Sequence, residues 1–270
     1  MQQGSLICVG TGIMLGAHLD PLSRNYIEQA DVVFMLMADA MTEQWLLQMH
    51  PDVRSLQPFY HQAPSRQHSY QLMVEAMLAE VAAGKKVVGA FYGHPAVFAL
   101  VPHEAVRQAR ELGYYSKMLP GISAEDCLYA DLGIDPGRYG CQLYECSQFM
   151  FYQRTIDTAA YLVLWQLGIA GDRSLARFST PDQYRQLLTD YLCQFYPAEH
   201  LITLYEAASL PTEQPRIDSM PLNALASAAV TGKTTLVIPP ASKLQPNTAM
   251  LAQLAALDAQ SDAQSDVKPD

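Results

Sequence analysis

Residues 58–70 read PFYHQAPSRQHSY and gather two phenols and a guanidinium: Tyr60, Tyr70 and Arg66. A phenol ionises near pH 10, at about pKa 10, so it acts as a base only where a cation or aligned N–H groups favour its phenolate. Ser65 is a good helix N-cap, which starts a helix at Arg66 and sets Arg66 and Tyr70 four residues apart on one face, at the positive helix end. The chain holds 15 tyrosines, so the same cluster also fits ordinary packing. Two readings stand: a core filler with a snorkelling arginine, or a site that takes a proton from a very weak acid.

Other stretches carry weaker signals. VGTGIMLG holds GxG, but Gly16 falls one place late for GxGxxG, so a tight strand-to-helix turn fits better than a dinucleotide loop with Asp31 or Asp39 on a ribose. No GxxxxGK[ST] is present, which disfavours a nucleoside triphosphatase. His94 in YGHP has no second ligand at metal spacing, and His61 and His68 have no carboxylate or thiol beside them, so no metal is expected. Ser123 in PGISAED lacks the GxSxG context of a hydrolase nucleophile. It suits an N-cap with Asp126 three residues on, a helix start that offers N–H groups to a ligand carboxylate.

Elements must position these residues, and the chain is long enough for one large or two ordinary domains at 270 residues, half of them apolar. Up to about residue 135 it alternates strand and helix patterns. SLICVG, ADVVFMLM, KVVGAFYG and YYSKMLPG read as strands; PLSRNYIEQA, TEQWLLQM, QLMVEAMLAEVAAG and VPHEAVRQARELG read as helices. Such alternation predicts a parallel sheet covered by helices, with ligands beyond the strand ends VGTG, FYGHP and LPGIS. GIDPGRYG marks a boundary, so residues 1–135 and 136–245 are expected to form two α/β domains, the second smaller. Residues 246–270, with a repeated AQSD, are expected to be a disordered or weakly ordered tail. The net charge of -10, with scattered lysines and arginines, excludes a nucleic-acid or anionic-membrane footprint. Five cysteines without ligand spacing, no signal peptide and no membrane-spanning run point to a soluble, cytoplasmic protein.

VGTGIML, FYGHPAVF, LPGISAEDCLYADLGIDP and TTLVIPP, in this order and spacing, resemble the tetrapyrrole-methylase-fold (class III) methyltransferases over residues 4–243. YGHPAVF followed by PGISAEDC is most similar to one branch, the borosin peptide backbone α-N-methyltransferases. The resemblance implies a two-domain α/β fold with the active site in the cleft between domains, S-adenosylmethionine as cofactor, no metal, and an interlocked homodimer. It implies catalytic roles for Tyr60, Arg66 and Tyr70, and substrate binding for Tyr92. Cofactor contacts would fall on His94, Val97, Phe98, Ser123, Ala124, Gln166, Tyr205 and Thr235. Fused fungal members carry a further tyrosine where this chain has Gln57. They also end in a hydrophobic peptide core unlike AQSDAQSDVKPD, so the expectation is a split type acting in trans. Its partner would be a separate precursor peptide with a small binding domain and a C-terminal core, bound by a homodimer or as a heterotetramer with two precursors.

An amide nitrogen is a poor nucleophile because its lone pair is delocalised into the carbonyl. Methylation therefore calls for imidate character, and the implied chemistry is Tyr60, assisted by Arg66, taking the amide proton while Arg66 and Tyr70 hold the oxyanion. Phe98 and Tyr205 would present ring faces to a sulfonium. Three rivals remain at this point: a porphyrinoid methyltransferase of the same fold, a dinucleotide oxidoreductase, and a non-catalytic peptide-binding module.

Overall fold

The computed structural model describes residues 4–174, 177 and 179–265. The chain runs β1 (Ser5–Gly10), α1 (Pro21–Glu28), β2 (Val32–Leu36), α2 (Ala40–Leu47), β3 (Val53–Ser55), α3 (Phe59–Gln62), α4 (Arg66–Ala82), β4 (Lys86–Phe91), α5 (Leu100–Glu111) and β5 (Tyr115–Met118). It continues through α6 (Ala124–Leu132), α7 (Pro136–Tyr139), β6 (Cys141–Glu145), α8 (Cys146–Phe151), β7 (Tyr161–Trp165), α9 (Asp182–Leu192), β8 (Leu201–Glu206), β9 (Arg216–Pro221), β10 (Thr235–Ile238) and α10 (Thr248–Ser265).

Two five-stranded sheets result, in the orders β3-β2-β4-β1-β5 and β6-β7-β10-β8-β9. Every pairing in the first is parallel. Its three inner strands, β1, β2 and β4, are apolar on both faces because both are covered. Leu6 and Cys8 of β1 face the core under α4 and α5, with Met73, Met77, Val101 and Ala105. Ile7 and Val9 face the opposite core with Ile27 of α1 and Leu46 of α2. Asp20 caps α1 by accepting from the Leu22 and Ser23 N–H groups. Ser65 caps α4 by accepting from the His68 N–H, so that helix starts at Arg66 as its cap predicts.

The second sheet is mixed. Only β6 and β7 pair in parallel, while β10 lies antiparallel to β7 and β8, and β8 to β9. One face packs under α8 and α9, with Phe149, Leu188 and Leu192. The other is covered by α6, whose Leu128 packs with Val163, Trp165, Tyr205 and Val237. The helix that leaves the first sheet thus roofs the second.

In the first sheet β3 is an addition to the four predicted strands. Within the stretch 246–270, expected to be a disordered or weakly ordered tail, Thr248–Ser265 is a helix, begun by Asn247, whose side chain accepts from the Met250 N–H at 3.0 Å. Residues 266–270 lie outside the described residues. Among the described residues no helix is long and apolar enough to cross a membrane.

Candidate active site

The adjacent strands β4, β1 and β5 end side by side, and there the glycines of VGTG, YGHP and LPGIS meet. A Cβ on Gly10 would lie 2.3 Å from the Gly93 carbonyl oxygen, and one on Gly121 2.9 Å from the same atom. Backbones can approach this closely only without side chains. Gly12 and Gly93 then form an antiparallel bridge, with Gly93 N–H donating to the Gly12 carbonyl at 3.0 Å and Gly12 N–H to the Gly93 carbonyl at 3.2 Å. The GxG turn is therefore a close-packed crossing of two loops. His18 holds its far side, accepting at Nδ1 from the Met14 N–H at 3.1 Å and the Ile13 N–H at 3.4 Å. Burial keeps His18 below the ordinary histidine range against the pull of Asp126.

Beyond these ends a cavity of about 260 Å³ opens. The first half of the chain contributes Ile13, Tyr92, His94, Val97, Phe98, Ser123, Ala124 and Glu125 to its wall; the second contributes Trp165, Gln166, Ala207, Gly232, Lys233 and Thr235. Phe98 (φ 51°) and Gln166 (φ 60°) are the two non-glycine residues with positive φ among those described, and both line this cavity. Side chains rarely occupy that region without a functional or packing constraint. The Phe98 and Trp165 rings meet across the cavity wall, centroids 5.8 Å apart. Ser123 caps α6 in a reciprocal box: Asp126 N–H donates to Ser123 Oγ, and Asp126 Oδ2 accepts from Ser123 N–H at 2.7 Å. That box aims the first turn of α6, Ala124 and Glu125, at the cavity. His94 Nδ1 accepts from the Ala96 N–H at 3.0 Å, which fixes the turn carrying Val97 and Phe98.

Seven of the eight residues expected to hold a cofactor line this one cavity, and so does Tyr92. The eighth does not. Tyr205 is fully buried, with its hydroxyl donating to Asp131 Oδ2 at 2.7 Å. Its ring has no exposed surface in this structure to offer a sulfonium. It ties β8 to α6 instead. Trp165 stands in that place beside Phe98, and Gly232 and Lys233 complete the wall. A glycine-containing turn before a strand was the available sign of the latter pair, and nothing in the sequence marked Trp165 apart from core.

Tyr60, Arg66 and Tyr70 do come together, at the junction of α3 and α4. The tyrosine rings meet edge to face with centroids 6.1 Å apart, and both pack against the core that holds Phe91, the residue before Tyr92. None of the three lines the cavity; Tyr70 lines a neighbouring groove between α4 and α5. Burial first, then Tyr70, pushes Tyr60 above the ordinary phenol value, and Arg66 pulls only partly back. Tyr92 is pushed up to about 12 by burial, with Cys127 and Asp39 adding to it. Gln57, in the place of an expected tyrosine, donates to the Met37 carbonyl at 2.7 Å. Among the described residues no group of three or more His, Cys, Asp or Glu side chains could hold a metal ion.

Comparison with known proteins fits this architecture. The signature of the tetrapyrrole (corrin/porphyrin) methylases matches residues 5–226. The chain is 38% identical over 262 residues to the methyltransferase/ribosomally synthesized cyclic peptide gymnopeptides precursor of Gymnopus fusipes, covering 96% of this chain and 62% of that one. It is 37% identical to the omphalotin A precursor of Omphalotus olearius, covering 95% and 62%. A type I borosin cyclic peptide precursor of Coprinopsis marcescibilis is 40% identical, covering 82% and 57%. The chain thus spans about three fifths of the length of these curated relatives. Among solved structures, uroporphyrin-III-C-methyltransferase from Thermus thermophilus superposes with a TM-score of 0.62 at 17% identity, covering 88% of this chain and 93% of that one. The cobalt precorrin-4 methyltransferase does so with 0.63 at 16%, covering 87% and 94%. With two α/β sheets in this arrangement and a family signature over most of its length, the chain belongs to the tetrapyrrole (corrin/porphyrin) methylases.

Proposed function

We propose that the protein is an S-adenosylmethionine-dependent methyltransferase acting iteratively on backbone amide nitrogens of a ribosomally made precursor peptide. The observation that carries this reading is the single cavity ringed by Tyr92, His94, Val97, Phe98, Ser123, Ala124, Gln166 and Thr235, in a chain whose relatives are methyltransferases joined to cyclic peptide precursors.

The cavity's donor set fits the cofactor. The N-terminal turn of α6 offers N–H groups to a carboxylate, and the rings of Phe98 and Trp165 suit a cation. When bound, S-adenosylmethionine supplies an electrophilic methyl group on its sulfonium. The chain's own task is to make an amide nitrogen nucleophilic. Tyr60, as a phenolate that Arg66 stabilises, accepts the amide proton and becomes the phenol. Arg66 and Tyr70 also hold the imidate oxygen, while Tyr92 borders the substrate on the cavity side. Burial of Tyr60 makes its phenolate scarce but strongly basic, which is what so weak an acid demands.

In this reading the peptide arrives as a separate chain and the enzyme works as a cytoplasmic homodimer, with residues 1–135 and 136–245 as its two domains. Isotope-labelled S-adenosylmethionine tests it: label should pass to a precursor peptide supplied as its own chain and not to a porphyrinoid. Label on the porphyrinoid would establish the small-molecule reading. Calorimetric binding of NAD, with none of S-adenosylhomocysteine, would establish the dinucleotide one.

A further inference from the structure

Glu206 ends β8 outside the cavity, yet three donors converge on its Oε1: Arg216 Nη1 at 2.9 Å, Thr231 Oγ1 at 3.0 Å and Thr234 Oγ1 at 2.5 Å. Each threonine hydroxyl also accepts from the turn it belongs to. Thr234 Oγ1 accepts from the Thr231 N–H at 2.7 Å, and Thr231 Oγ1 from the Lys233 N–H at 3.1 Å. The turn Thr231–Thr234 is therefore pinned through both its ends to one carboxylate oxygen. Arg216 closes the unit by donating to the Ala229 carbonyl at 2.8 Å and pairing with Asp218 at 2.6 Å.

This turn supports the cavity at two levels. Gly232 and Lys233 line it directly. The Thr234 carbonyl also accepts from the Leu167 N–H at 3.0 Å, holding the segment in which Gln166 keeps its left-handed backbone, φ 60°. Contact between the two segments is close: a Cβ on Gly168 would lie 2.4 Å from the Thr231 carbonyl oxygen. The chain of contacts runs from Glu206 to Thr231 and Thr234, then to Gln166, Gly232 and Lys233.

From this we infer that Glu206 is a positioning residue for the cofactor pocket: it touches no ligand and sets the second-half wall, Gln166 and Gly232–Lys233, in a binding-ready arrangement. The inference rests on the cofactor reading above. A wall fixed before binding costs less ordering on binding, so its loss should appear in cofactor affinity and leave the reacting groups of α3 and α4 unaffected. A carboxamide keeps an acceptor oxygen for the two threonines, whereas alanine keeps none.

The test compares Glu206→Ala and Glu206→Gln in three measurements: calorimetric binding of S-adenosylhomocysteine, amide hydrogen exchange at residues 231–234 without ligand, and KM against kcat for the cofactor. Glu206→Ala should weaken binding about tenfold or more, raise exchange in the turn, and raise KM with kcat within about threefold of wild type. Glu206→Gln should stay within about threefold on all three. A wild type that binds the ligand, with Glu206→Ala binding equally well or losing kcat instead of affinity, overturns the inference alone. A wild type that does not bind overturns the cofactor reading and the inference with it. Should Glu206→Ala not fold, Thr231→Val carries the test: raised exchange with weakened binding supports the inference, and unchanged values overturn it.

Discussion

The base role proposed for Tyr60 is the one most open to test. Burial raises its pKa more than Arg66 lowers it, so at neutral pH it stands as the phenol and the base form grows about tenfold per pH unit below that value. We therefore expect kcat/KM for the peptide to climb with pH through and beyond the neutral range; a plateau at or below about pH 8 would assign the base to another group. Tyr60→Phe and Arg66→Ala should each lower kcat by about a hundredfold or more, while calorimetry finds cofactor affinity within about threefold of wild type, since neither residue lines the cavity. Affinity that falls in step with activity would make them binding residues. The sequence placed Arg66 and Tyr70 on one helical face correctly, because Ser65 caps the helix where its type suggests. The net upward shift on Tyr60 was not legible there, because burial depends on packing that no short motif encodes.

At the scale of elements, the glycine crossing and its histidine brace decide the cavity's floor. Gly10→Ala would drive a methyl group into the Gly93 carbonyl, at 2.3 Å from ideal placement. We expect a loss of about 3 kcal/mol, read as a lower midpoint in denaturant unfolding. His18 accepts two backbone N–H groups at Nδ1 and so works in its neutral form. Its folded pKa lies below the ordinary histidine value of about 6.5, so the unfolded chain binds the proton more readily. The stability His18 gives is accordingly present above about pH 6.5 and is lost as pH falls through the lowered folded value. Thermal melts of wild type and His18→Asn should therefore converge between pH 7.5 and about pH 5; a constant gap would remove His18 from that role. Strands β1, β2 and β4 could be read from sequence because covered parallel strands are apolar throughout. β9, RIDSMP, could not be: it is an edge strand with no buried residue. In α10 the helix-forming Ala, Leu and Gln outweigh the repetitive Ser and Asp that suggested disorder.

Across the whole molecule, α6 links the two sheets. Its N-terminus faces the cavity, its Leu128 packs on the second sheet, and its Asp131 accepts from Tyr205. A hydrogen bond from the Leu15 N–H to the Ser209 carbonyl, 2.9 Å, adds a second tie between the loops of the two halves. Helix α10 stands apart from both, with Met250, Leu251, Leu254 and Leu257 exposed. Removing residues 246–270 should shift the melting temperature by less than about 2 °C, and a larger drop would show that α10 supports the fold. The claim that binds these scales together is that the amide nitrogen itself is methylated. Tandem mass spectrometry of a candidate precursor peptide, encoded beside this chain and co-expressed with it, tests that most directly. The account predicts methylene-mass increments localised to backbone amides of the peptide core, absent with Tyr60→Phe. Increments on side chains or the N-terminal amine, or increments that persist in Tyr60→Phe, would contradict it.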